Sequence, residues 1–276
     1  MNGIGYKIKK TILYILLILL SVVCMFPFLL MIVNATRSGS EIMKSFTLIP
    51  SVYLKENCAT VFKYFNLFLG MWNSLKVAVP STLLCAYFSA MTAYALAMYK
   101  FKGNKVLFMT ILIFMMIPGQ LGLIGFYNLC TKLHLVNSYI PLIIPAIASP
   151  GTVFFLRQYV LSVMPPSLIE AARIDGAGEY RAFAQVMLPL VKPTIAATAT
   201  VQFLDAWNSY LDPLVFISNW KKWTIPLALN QFVGTEVTQY NLTMAACCMA
   251  VVPVFIVFLF GQKFFLKGLS VGAVKG

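Results

Sequence analysis

TILYILLILLSVVCMFPFLLMIV, residues 11–33, decides the fold of this chain. The run holds no Asp, Glu, Lys or Arg, and only its proline interrupts a helix-forming pattern. As an α-helix it would be about 35 Å long, at about 1.5 Å per residue. That exceeds the roughly 30 Å of bilayer hydrocarbon. A secretory signal core runs to only about 7–15 apolar residues, so the segment is expected to stay in the protein and cross a membrane.

Runs of similar length recur at about 77–99, 106–129, 139–156, 194–218 and 242–262. They predict an all-α membrane protein with six spans in a single transmembrane domain covering 1–276. The composition agrees. Hydrophobic residues make up 60% of the 276, charged residues 11%, and mean hydropathy is +0.84. A soluble domain carries about 25% charged residues, enough to coat itself; this chain cannot. Prolines fall inside several runs, at 27, 80, 118, 141, 145, 150 and 253. In lipid, the backbone groups they free must be met by neighbouring helices or a wet cavity. The fourth run, with three of them, is the least regular.

A net charge of +13 raises nucleic acid as a partner, but the basic residues lie in short stretches between apolar runs rather than on one soluble face. They predict orientation and contact with anionic lipid, and no nucleic acid. With both termini inside, the inner segments hold 13 of the 21 Lys and Arg and the outer segments 8. The positive-inside rule therefore predicts cytoplasmic termini and a cytoplasmic segment at about 157–193. The six cysteines show neither C-x-x-C nor metal-site spacing, and the single His134 stands alone. No metal site and no catalytic residue is expected.

The long inner loop, at about 164–190, has legible local physics. Ser167 and Glu170 have the S-x-x-E spacing of a capping box, which predicts a helix starting at Ser167. Ala171 and Ala172 favour helix. Gly176 is placed to end it in the left-handed conformation. A second short helix is expected from Glu179 to Met187, with Pro189 barring its extension. The prediction is a helix–turn–helix lying on the inner membrane face.

Glu170-Ala171-Ala172, Gly176 after three residues, then Val186, Leu188 and Pro189 resemble the "EAA" loop of permeases of binding-protein-dependent ABC importers. Asp175-Gly176-Ala177 resembles the sugar-importing branch. So do Ala93-Tyr94-Ala95-Leu96 followed by Lys100-Phe101-Lys102-Gly103, Met116-Ile117-Pro118, Trp207-Asn208 with Pro213-Leu214, and the ending from Gln262 to Gly276. The likeness covers nearly the whole chain and is nearest to the shorter, maltose-type permease subunit. It implies that Glu170, Ala171, Ala172, Asp175, Gly176, Ala177, Leu188 and Pro189 belong to a coupling helix and turn docking on a separate ATPase. The implied partners are a second, non-identical permease, an ATPase dimer and an extracytoplasmic sugar-binding protein, in a bacterial inner membrane. It implies no cofactor in this chain, with ATP and Mg on the ATPase. No G-x-x-x-x-G-K-[S/T] phosphate loop is present in the sequence. The basic tail from Lys263 onward is expected to touch either the ATPase or the membrane surface.

Two acids, Asp205 and Asp212, fall in the fifth run. A mid-bilayer acid costs about 2.5–3.5 kcal/mol, so it is a functional candidate. Thr198, Gln202, Asp205, Ser209 and Asp212 recur at three- and four-residue steps, with Asn208 beside them. On one continuous helix they would form a polar stripe able to bond sugar hydroxyls; the same stripe would also suit packing against partner helices. A stand-alone secondary transporter would be expected to show two similar halves, and an integral membrane enzyme clustered His, Cys or acids. The sequence shows neither.

Overall fold

The opening run folds as α1 (Ile4–Ala35), 32 residues long, with Pro27 inside it. The computed structural model describes residues 4–232 and 239–273, with side chains at 6–230, 232 and 239–262. None of the most apolar window of α1 is buried against the rest of the chain. This is the behaviour expected when the surrounding solvent is lipid. Further helices follow: α2 (Gly39–Lys44), α3 (Leu54–Tyr64), α4 (Leu67–Met98), α5 (Asn104–Met116), α6 (Leu123–Lys132) and α7 (Ile140–Ile143). Then come α8 (Pro150–Val163), α9 (Pro166–Ile174), α10 (Glu179–Ala182), α11 (Leu188–Asn208), α12 (Leu211–Phe216), α13 (Ile225–Leu229) and α14 (Tyr240–Ala273). Among the described residues five helices are long and apolar enough to cross a membrane, or six if one bent pair counts as a span.

The chain divides into two compact units. The first comprises 1–67 and 229–252. Polar side chains knit its joints. Asn57 donates to the carbonyls of Ala35 at 2.9 Å and Arg37 at 2.8 Å, and accepts from Asn241 at 2.7 Å. The buried Arg37 donates to the Glu41 and Ser45 carbonyls at 2.6 and 2.9 Å, tying the end of α2 to the chain that leaves α1. A capping box does form here, between Ser38 and Glu41. The amide of Ser38, first among several bonds, holds the Glu41 carboxyl below the usual carboxylate range.

The second unit comprises 68–228 and 253–276. One core joins α4, α8 and the start of the α10–α11 rod through Ala93, Tyr94, Leu156, Val160, Phe183 and Met187. Another packs Ala78, Phe203 and Trp207 with Val254 and Val257. Asn73 and Ser74 of α4, both buried, hold the 221–225 segment. Asn73 donates to the Lys221 and Trp223 carbonyls, and Ser74 accepts from the Ile225 amide.

Several expectations are corrected. The third run is not one straight span: α5 and the segment Gly119–Lys132 meet at 92°. Ile117, preceding Pro118, is extended (ψ 121°), as a residue before proline prefers, and this ends α5. In the fourth run the chain breaks at Ala148 and Ser149 and restarts with Pro150 at the head of α8. α8 then continues to Val163, which places Arg157 inside a helix rather than in a loop. Pro189 does not stop the second loop helix. The helix runs from Glu179 to Asn208, because a π-helical turn at Phe183–Met187 precedes the proline. The widened turn absorbs the Gln185 carbonyl, which the Pro189 ring would otherwise meet.

Candidate functional site

The loop helix α9 begins at Pro166, not Ser167, and no side chain caps it. Pro165 is extended (ψ 141°) because a proline follows it, and Pro166 brings a ready-made helical φ. The Ser167–Glu170 capping box is therefore not formed. Glu170 is exposed and makes no hydrogen bond or ion pair among the described residues.

Ile169 and Ala172 bind α9 to the core of the second unit. At about 100° per residue, Glu170, Ala171 and Ile174 fall on the opposite arc. All three are exposed, Ile174 by 86%. α9 ends as expected at Gly176, with φ +80°. The Gly176 amide donates to the Arg173 carbonyl (3.0 Å) and the Ala177 amide to the Ala172 carbonyl (2.9 Å). This is the Schellman pattern of paired 5→2 and 6→1 bonds, which needs a left-handed residue at Gly176. Asp175 caps the helix and is exposed. Leu188 packs on the core, and Pro189 is exposed in the first turn of α11.

A clamp closes across the turn. Arg173 donates to both carboxylate oxygens of Glu179, at 2.9 and 3.2 Å. Its guanidinium carbon lies 5.5 Å from the Tyr99 ring centroid, and the Tyr99 hydroxyl donates to Glu179. Desolvation first, then the bond to Glu179, pushes the Tyr99 phenol above its ordinary pKa. The ion pair is 41% and 54% exposed, so by itself it contributes only about 0–1 kcal/mol. Its use is geometric: it ties both sides of the Gly176 turn to the end of α4. Sequence reading missed this clamp. Arg173 and Glu179 were visible as opposite charges flanking a glycine, but Tyr99, eighty residues away from Glu179, gave no local signal.

The expected polar stripe is split. α11 ends at Asn208, Ser209 is extended (ψ 124°), and α12 begins at Leu211. The Pro213 ring would collide with the Ser209 carbonyl in a continuous helix, so the rod stops here. Gln202 and Asp205, with Thr198, line a cavity of about 310 Å³ together with Ser149, Thr152 and Phe155. Asn208 is exposed at the rod's end. Ser209 and Asp212 lie beyond the break, where Ser209 Oγ donates to Asp212 Oδ2 at 3.4 Å. Among the described residues, no three His, Cys, Asp or Glu are grouped to hold a metal ion. The tail from Lys263 lies outside the described side chains, and 274–276 outside the described residues altogether.

Comparison with known proteins agrees with this architecture. Residues 83–271 match the family described as "Binding-protein-dependent transport system inner membrane component". An arabinooligosaccharide transport system permease of Halalkalibacterium halodurans is 39% identical, with 92% of each chain covered. Its counterpart in Bacillus subtilis is 35% identical, covering 98% of this chain and 96% of that protein. A lactose transport system permease of Rhizobium radiobacter is 28% identical over the full length of both. Among solved structures, a chain of a bacterial ABC transporter that imports alginate superposes with a TM-score of 0.81, covering 96% of this chain and 99% of that one. At 21% identity this likeness speaks for the fold alone. The chain belongs to the family of binding-protein-dependent transport system inner membrane components.

Proposed function

We propose that this chain is a permease subunit of a bacterial ABC importer for an oligosaccharide. It pairs with a second, non-identical permease, receives substrate from an extracytoplasmic binding protein, and is driven by a separate ATPase dimer that holds the ATP and Mg. Both termini and the 164–190 loop face the cytoplasm, and the whole chain acts as one permease domain. The sugar assignment is supported by relatives named for arabinooligosaccharide and lactose transport. One observation carries the coupling role: α9 is fastened to the core by Ile169 and Ala172 while Glu170, Ala171 and Ile174 project outward. A short helix held rigid on one side and bare on the other suits a groove on a partner. Asp175, Gly176 and Ala177 set its end, and Leu188 and Pro189 join it to the fifth-span helix.

The test is purification of the tagged chain from its native membrane, with co-purifying proteins identified by mass spectrometry. A P-loop ATPase and a second permease are expected with the natural chain. Gly176→Asp is expected to lose the ATPase. At φ +80° a short polar side chain costs about 1 kcal/mol or less and its Cβ meets nothing within 4 Å, so the loss comes chiefly from a new charge on the docking turn. A chain that emerges alone in several detergents overturns the reading.

The substrate path is proposed to run past Gln202 and Asp205, in the cavity that Phe155 and Thr152 share. The aromatic face and the carboxylate together suit a sugar ring and its hydroxyls. Asn208, Ser209 and Asp212 lie at the end of this path. Asp205→Asn, nearly isosteric, is expected to lower sugar-stimulated ATP hydrolysis about ten- to 150-fold, the loss of one charged hydrogen bond. Basal hydrolysis should stay within twofold. Unchanged stimulation across a panel of oligosaccharides would remove Asp205 from the path.

A further inference from the structure

The connection from α4 to α5 and the middle of α8 carry charge that the coupling loop does not use. Lys100, Lys102, Lys105 and Arg157 line one open cleft of about 620 Å³. No acidic residue lines it. Tyr99, on its wall, is spent on Glu179, which Arg173 already engages. The cleft lies where the chain leaving the end of α4 passes the middle of α8. Ala97 and Met98 of one and Val163 of the other pack on the same core.

Arg157 is the unusual member. It sits six residues before the end of α8, inside the span Ile140–Val163. Its guanidinium carbon lies 3.9 Å from the Phe108 ring centroid. Its Nε makes one long bond, 3.4 Å, to the Leu96 carbonyl. Among the described residues it has no ion pair. A half-buried cation six residues from the end of a long apolar segment, with one weak acceptor, leaves strong donors unspent. The adjoining α5 opens with Gly103 in the left-handed conformation (φ +93°) and has no side-chain cap. From Val106 on the cleft wall, α5 leaves Val106, Met109 and Ile113 exposed at helical spacing. A cationic bowl at the membrane surface therefore continues into a bare apolar flank.

We propose that this cleft binds the headgroup phosphate of an anionic phospholipid, with Arg157 beneath the phosphate and the three lysines around it. The acyl chains lie along Val106, Met109 and Ile113. Free phosphate shares the headgroup chemistry but has no use for that apolar flank, so the site is assigned to lipid.

The test uses the delipidated full-length chain in detergent, titrated with phosphatidylglycerol, phosphatidylcholine or inorganic phosphate and read by native mass spectrometry. One phosphatidylglycerol is expected to bind at least about tenfold more tightly than phosphatidylcholine. Joint Lys102→Gln, Lys105→Gln and Arg157→Gln should erase that preference. Arg157→Lys alone should keep most of it. The same charge loss elsewhere, by Lys44→Gln, Lys55→Gln and Lys63→Gln, should leave it intact. Thermal melting of each variant separates misfolding from loss of the site. Three results overturn the proposal: equal binding of the two lipids, equal loss in the distant triple variant, or displacement of phosphatidylglycerol by millimolar inorganic phosphate. Each result is independent of transport, so the lipid site and the importer reading fail separately.

Discussion

Replacing Ile174 with aspartate is expected to strip the partner ATPase from the purified complex while the permease stays folded. Ile174 is the last residue of α9 and 86% exposed. The inward arc of the helix already holds Ile169 and Ala172, so Ile174 contributes nothing to the permease's own core. An isolated exposed isoleucine needs no explanation. This one stands beside the bare Ala171 and the unpaired Glu170, on a helix locked by a Schellman turn and the Arg173–Glu179–Tyr99 clamp. A rigid helix presenting a large, almost fully exposed apolar side chain beside a small one fits the description of an interface anchor. Loss of such an anchor costs at least about 2 kcal/mol, roughly thirtyfold in affinity. A carboxylate forced into the emptied pocket adds desolvation to that. The checks are the ATPase-to-permease ratio after affinity purification and the melting temperature of the permease in detergent. A wild-type ratio in the variant would remove Ile174 from the coupling surface.

The second large effect is expected at Gly261 on α14. A Cβ there would lie 2.8 Å from Thr200 Oγ1 and 3.2 Å from Thr200 Cγ2. Thr200, on α11, is buried, and its hydroxyl is engaged on the Ala196 carbonyl at 2.8 Å. A β-branched side chain with few rotamers cannot swing aside. The glycine thus permits a close approach of two membrane helices, the usual service of small residues in lipid. Gly261→Leu is expected to destabilise the chain by about 1–3 kcal/mol through overpacking. Gly261→Ala should act in the same direction to a smaller extent. Thr200→Ala clears both close atoms, leaving only the Thr200 Cβ at 3.6 Å. Gly261→Ala on the Thr200→Ala background should therefore be close to neutral. A double-mutant cycle read by thermal unfolding in detergent decides the matter: purely additive effects would show that the contact does not limit packing.

Much of the candidate coupling loop was legible in the sequence because its logic is local. Gly176 ends a helix that Ala171 and Ala172 favour, and the structure puts it at φ +80°. The capping box was misplaced for an equally local reason: Ser167-x-x-Glu170 has the right letters, but Pro165-Pro166 starts the helix a residue sooner. The same spacing at Ser38–Glu41, with no proline before it, does form the box. Pro189 was misread because a π-helical turn, which no sequence signature announces, removes the clash that would have stopped the helix.

Hydropathy alone determined that the chain is a membrane protein and roughly where its long apolar helices fall, since the cost of desolvating a backbone segment depends on that segment's own side chains. The chain's family was legible for the same reason: its signature is a short run of residues serving one helix and one turn. Tertiary structure decided what depends on neighbours distant in sequence. It bent the third span by 92° and cut the polar stripe after Asn208, leaving Asp205 in a cavity with Thr152 and Asp212 outside it. It brought Tyr99 to Glu179 and set Arg157 over Phe108 with no acid to answer it. Periodicity assigns a side chain to a face of its own helix. Which other chain segment meets that face is a property of packing, and packing is settled only when the helices assemble.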